Sequence, residues 1–193
     1  VAPAAGVQNT LLGSGVTVSN ITYSGFPAAI GTFNASGTNL GITSGLAMTT
    51  GTVVNTGDGP HGPNNQSGAG VDNNFPGFGL LTNLIGGTPT FNAAVLQFDF
   101  VPYSDEVEFR YVFGSEEYPE YVGSQFNDVF AFYISGPGIA GLQNIALLPN
   151  GQAVTINNVN SGSNAAFYVN NGDGTNAPYN SSANFIQYDG FTE

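Results

Sequence analysis

Short runs of β-branched and aromatic residues, each closed off by Gly, Pro or Asn, recur along the whole chain, and no stretch of useful length spaces its apolar residues as a helix would. A chain punctuated in this way has few options beyond an all-β fold. Strands are expected at residues 16–23, 28–34, 45–50, 93–101, 107–114, 128–135, 145–148, 167–169 and 185–188, and nine strands suit an antiparallel β-sandwich or jelly roll. Residues 1–193 are read as one such domain, interrupted by long loops at about 56–89 and 157–182. The second loop carries Asn170-Asn171-Gly172-Asp173-Gly174, a strong turn signal.

Two segments alternate cleanly. Val107, Phe109, Tyr111 and Phe113 share one face of their run, with Glu108 and Arg110 opposite, so Phe109 and Phe113 are expected in the core. Leu96, Phe98 and Phe100 share a face opposed by Gln97 and Asp99. The polar faces of these two runs are expected to meet, pairing Arg110 with Asp99 or Glu108.

Thirteen carboxylates stand against one cationic side chain, Arg110, with His61 as the only other candidate, and the net charge is −12. Nucleic acid and anionic membrane are excluded as partners, since both are bound through Lys and Arg. With fifteen Phe, nine Tyr and 41% apolar residues the chain nevertheless has ample material for a core. No cysteine is available to staple it, and no apolar run is long enough to span a bilayer. The start, Val1-Ala2-Pro3-Ala4-Ala5, lacks signal-peptide features and reads as already processed. Catalysis is not expected. His61 is the only possible imidazole base, no nucleophile elbow surrounds a serine, and no phosphate-cradling loop joins a strand to a helix. Glu116 paired with Glu117 or Asp128 is a weak glycosidase pair, because neighbours on a strand point to opposite faces.

Between Ser115 and Phe130 four carboxylates fall close together: Glu116, Glu117, Glu120 and Asp128. Asp128 is in register with Phe130, Phe132 and Ile134, so it points toward the side those residues bury, where an ionised carboxylate is costly unless paired or metal-bound. With no Lys in the chain, a hard divalent cation is the expected partner, and calcium (Ca2+) accepts the carboxylate, Asn and carbonyl oxygens abundant here. The expected ligands are Glu116, Glu117 and Asp128, then Asn127 and Glu120, supported by Asp99 and Arg110. The plainer alternative makes the glutamates solvated loop charges and Asp128 a turn cap. His61, in a Gly-Pro-rich loop with Asp58, is expected to have no special duty.

The segments 45–51, 92–102 and above all Phe109-Arg110-Tyr111-Val112-Phe113-Gly114-Ser115-Glu116-Glu117-Tyr118-Pro119-Glu120, continued by Phe126-Asn127-Asp128-Val129-Phe130 and Ile134-Ser135-Gly136-Pro137-Gly138, resemble the choice-of-anchor L domain of bacterial surface and secreted proteins. The resemblance runs from about Val7 to Tyr188-Asp189-Gly190-Phe191-Thr192. Asn92 and Gln97 stand where the family often has acidic residues. The resemblance implies an extracellular β-sandwich without established catalysis, found in adhesins and exported proteins. It also implies further strands after Thr192, so this chain is expected to lack its last strands and to present an open edge that another chain completes. The alternative is that the chain is a fragment.

The expected function is therefore a calcium-stabilised extracellular adhesion or structural module, a subunit of a surface filament completed by strand exchange, with a second copy or another surface protein as partner. The alternative is a calcium-dependent, lectin-like carbohydrate-binding domain, in which Phe75, Phe78, Tyr118 and Tyr121 stack on a sugar ring.

Overall fold

The structure is a computed structural model that describes residues 2–13, 15–54 and 59–193. Asp58 and the start of the first long loop lie outside the described residues. The strands are β1 (Val16–Ser24), β2 (Ile30–Asn34), β3 (Ser44–Met48), β4 (Val95–Pro102), β5 (Gly114–Ser115), β6 (Val129–Phe130), β7 (Tyr133–Ile134), β8 (Gln143–Asn144), β9 (Val154–Thr155), β10 (Tyr168–Asn170) and β11 (Gly190–Thr192). Among the described residues they form five small antiparallel sheets, four of two strands and one of three. The chain is all-β as expected; its strands are shorter and its sheets more divided than a jelly roll requires.

The longest pairing joins β1 to β4, some seventy residues apart in the chain, and burial in β4 alternates as the sequence predicts, with Leu96, Phe98 and Phe100 inward. β1 carries a bulge between Ser19 and Thr22. Asn20 sits there at φ 54°, a conformation Asn tolerates better than most residues, and its Nδ2 donates to Asp99 Oδ2 at 2.6 Å. β2 and β3 form a hairpin whose loop is tied by Ala35 N–H to Thr43 C=O and by Ser36 N–H to Asn34 Oδ1. The three-stranded sheet places the C-terminal β11 between β10 and β5. Leu148, Val154 and Val159 form one cluster of the core, and Phe113, Phe130, Phe167 and Tyr168 pack against it.

Several expectations are corrected. The strand expected at 107–114 is paired only at Gly114–Ser115: no main-chain N–H or C=O from residue 107 to residue 112 makes a hydrogen bond among the described residues. Phe109 stacks on Phe132 with ring centroids 4.5 Å apart and Tyr111 on Phe130 at 4.7 Å, so the segment runs antiparallel beside β6 and β7. β6 and β7 form their ladders with β9 and β8, and the segment meets them through its rings. Phe109 and Phe113 are both half-buried, and Phe113 packs against the core. The expected Arg110 ion pair does not form: Asp99 is bonded to Asn20, and Arg110, Glu108 and Asp99 are all exposed.

The strand expected at 185–188 is also absent. The side chain of Asn171 takes the carbonyls of Ile186 and Tyr188, each at 2.7 Å, in place of a ladder, and the strand begins at Gly190. The 145–148 run contributes a single bridge, Leu147 to Ala153, and β9 appears where no strand was expected. The 56–89 loop contains a short helix, α1 (Gly79–Leu84), and the 157–182 loop contains β10 and a helical turn at Ala165–Phe167. A four-residue helix at Pro3–Gly6 continues into a π-helical turn at Val7–Leu11. No helix is long and apolar enough to cross a membrane among the described residues.

Candidate cation site on strands 5 and 11

β5 and β11 carry the chemistry. Their register pairs Ser115 with Gly190 and Gly114 with Phe191. Continued by one residue, it sets Glu116 opposite Asp189, on the same face of the pair. Asp189 is completely buried and Glu116 half-buried. Each has one oxygen satisfied: Ala69 N–H donates to Glu116 Oε1 at 2.7 Å, and Asn64 Nδ2 donates to Asp189 Oδ1 at 2.7 Å. The second oxygen of each, Glu116 Oε2 and Asp189 Oδ2, is buried without a hydrogen-bond partner.

A lattice of neutral amides holds this pair. Asn64 and Asn171 are both fully buried. Asn64 Nδ2 also donates to the Asn171 carbonyl at 3.0 Å, while Gln187 Nε2 donates to Asn64 Oδ1 at 3.3 Å and to the Gln66 carbonyl at 3.1 Å. Beneath it lies Tyr118, fully buried, whose hydroxyl donates to the Val159 carbonyl at 2.6 Å and whose ring stacks on Tyr168 at 4.9 Å. Tyr118 is thus a core residue and not a sugar platform, which corrects the expectation for it.

Among the other expected ligands, Asp128 is turned inward as the alternation predicted, and its partner is a hydroxyl: Ser115 Oγ donates to Asp128 Oδ2 at 2.7 Å. The same Oγ accepts from Glu117 N–H. Asn127 Oδ1 accepts from Asn157 N–H, and Glu120 is exposed. Among the described residues no three Asp, Glu, His or Cys side chains gather around one point. His61 is exposed, with Nδ1 3.0 Å from the Gly62 carbonyl. Asp189, Asn64, Asn171 and Gln187 escaped the reading of the sequence. Asp189 alone left a signal, a lone carboxylate between Phe185 and Phe191, the same logic that singled out Asp128.

The electrostatics follow from burial. Desolvation first, then the repulsion of Asp189 and Glu120, pushes the Glu116 carboxyl up to about 7, against the donors that hold it. Desolvation, then Glu120 and Asp173, pushes Asp189 up to about 7 despite Asn64. Burial raises Asp128 as well, and burial with Asp128 and Glu120 raises Glu117. These groups bind protons more tightly folded than unfolded. Without a bound cation, stability is therefore fully present below their ordinary range, falls as pH rises from about 4 toward 7, and levels off above that. Asp72 and Asp173, lowered by their Asn92 and Thr175 hydrogen bonds, act oppositely at lower pH. Thermal melts in EDTA should give a maximum near pH 4 and a melting temperature several degrees lower at pH 8. A melting temperature that climbs to pH 8 contradicts this assignment.

Beside Glu116 opens a cleft of about 330 Å³ lined by Ser67, Gly68, Ala69, Gly70, Glu117, Tyr121 and Phe126. A second groove, of about 260 Å³, runs along the unpaired segment between Glu106, Val107, Phe109 and Tyr111 on one side and Phe132, Ile145 and Ala146 on the other.

No curated protein and no solved structure matches the chain. The model of the choice-of-anchor L domain matches residues 2–193, essentially the whole length. The chain therefore belongs to the choice-of-anchor L domain family, and is with it a bacterial surface-associated module.

Proposed function

We propose that the chain is an extracellular adhesion and structural module, stabilised by calcium, that joins a second copy in a surface filament by strand addition along residues 107–112. The observation that carries this reading is the run of unpaired peptide groups there, held extended by the Phe109 and Tyr111 stacks and bordered by an apolar groove. An exposed row of free N–H and C=O groups is a template for another strand. Natural edges are guarded by Lys, and this chain has none; Glu108 and Arg110 are the only charges from 107 to 112. Among the described residues neither makes an ion pair that strand addition must break.

Arg110→Pro removes one free donor at an exposed position and should leave the melting temperature within about 2 °C of the parent, since no intrachain bond is lost. It should abolish filaments or higher oligomers seen by electron microscopy and sedimentation. Assembly equal to the parent's defeats the strand-addition reading. The calcium part stands or falls separately, on whether melts in EDTA and in millimolar calcium differ.

One observation favours carbohydrate binding as a second reading: Tyr121 and Phe126, both exposed and in edge-to-face contact at 5.1 Å, rim the polar cleft beside Glu116 and Glu117. A glycan array probed with and without calcium separates the two.

A further inference from the structure

We infer that Glu116 and Asp189 together form a divalent-cation site of the calcium class, entered from the cleft beside residues 67–70. This rests on the calcium part of the proposed function, and it assigns ligands outside the 117–128 loop. Glu116 and Asp189 each adjoin the last paired residues of β5 and β11, Ser115 and Gly190, so the register continued by one residue sets them opposite, where like charges destabilise. Each keeps one oxygen on a hydrogen-bond donor and has a second, buried oxygen with none. Asp189 is wholly buried, so its orphaned oxygen has no water to fall back on. Arg110 and His61, the only side chains able to carry positive charge, are exposed and form no ion pair among the described residues. The compensating charge must therefore come from outside the polypeptide or from a proton.

The neutral surroundings favour a hard ion that takes many oxygens in loose geometry. The Asn64 side-chain oxygen and the Gln66 carbonyl lie within the same amide lattice, and Glu116 lines the cleft that admits the ion with its remaining water. Calcium tolerates six to eight such ligands, whereas magnesium demands a tight octahedron and keeps its water. Two carboxylates make a weak site, so a dissociation constant of about 10⁻⁴–10⁻³ M is expected, the range of extracellular calcium modules. The neighbouring Asp128 already has its partner in Ser115 and is left out.

The test is calorimetric titration of the EDTA-treated, dialysed chain with calcium chloride and, separately, magnesium chloride at pH 7.5, paired with thermal melts. One calcium per chain is expected, with magnesium at least tenfold weaker. Asp189→Asn and Glu116→Gln should each weaken calcium binding more than tenfold, while Glu117→Gln and Asp128→Asn should change it less than threefold. In EDTA at pH 7.5 the Asp189→Asn chain should melt no lower than the parent, because the exchange removes repulsion while keeping shape; a residue of purely structural value would not behave so. Calcium binding that survives both Asp189→Asn and Glu116→Gln but is lost in Glu117→Gln or Asp128→Asn overturns this site and leaves the calcium reading intact. A parent chain that takes up no calcium, its melting point set by pH alone, overturns both and assigns the pair to a shared proton.

Discussion

Replacing Tyr118 with alanine is expected to cost about 3–5 kcal/mol of unfolding free energy, the usual loss for a fully buried aromatic. Tyr118 is the largest side chain with no exposure, and three dependent features meet on it. Its ring stacks on Tyr168, its hydroxyl satisfies the Val159 carbonyl, and both rings press against the main chain at Gly190, where an added methyl would sit 2.6 Å from Tyr168 Cε2 and 2.7 Å from Tyr118 Cδ2. Tyr118→Phe keeps the ring and leaves the buried Val159 carbonyl without its donor, so about 1–2 kcal/mol is expected. Equilibrium urea unfolding checks both. A Tyr118→Ala chain within about 1 kcal/mol of the parent would mean that the β5–β11 pair does not rest on this ring. Because Asp189 adjoins Gly190, against which the Tyr118 ring packs, and Glu116 stands two residues before Tyr118, the alanine variant should also lose calcium affinity, and Tyr118→Phe should keep it.

Gly62→Ala is expected to cost about 4 kcal/mol or more, a size reserved for a few mechanisms of which backbone collision is one. An added Cβ would collide with the Phe185 carbonyl oxygen and fall 2.7 Å from its carbon, both main-chain atoms that cannot rotate away. This contact is where the 59–66 stretch meets the C-terminal segment. On one side of Gly62 the Pro60 carbonyl accepts from Gln187 N–H at 3.1 Å, and on the other the Asn64 side chain reaches Asp189 at 2.7 Å. Forcing the two segments apart therefore breaks the amide lattice along with the packing. Soluble expression and a urea melt decide it. A folded Gly62→Ala chain of parental stability would show that the two segments do not approach so closely in solution.

The all-β class was legible because the two-residue period of a strand is a local property. In β4, Leu96, Phe98 and Phe100 turn inward and Gln97 and Asp99 outward for reasons contained within eight residues. The same rule placed Asp128 inward without knowing its partner. It failed at 107–112, where the alternation is equally clean but the segment meets its neighbours through the Phe109 and Tyr111 rings, and alternation carries no information about whether a partner's main chain comes within hydrogen-bonding reach. It failed again at 185–188, where the Asn171 side chain takes the carbonyls a strand would have used.

What the amino-acid sequence determined by itself is the imbalance, thirteen carboxylates against one Arg and no Lys, together with the all-β class. That much follows from composition and period. Which carboxylates are left wanting charge was decided only by the tertiary structure. Asp128 found the Ser115 hydroxyl thirteen residues away, while Glu116 met Asp189 across a pair of strands drawn from the middle and the end of the chain. Two acids so distant along the chain become neighbours through register alone, and no local pattern carries that information.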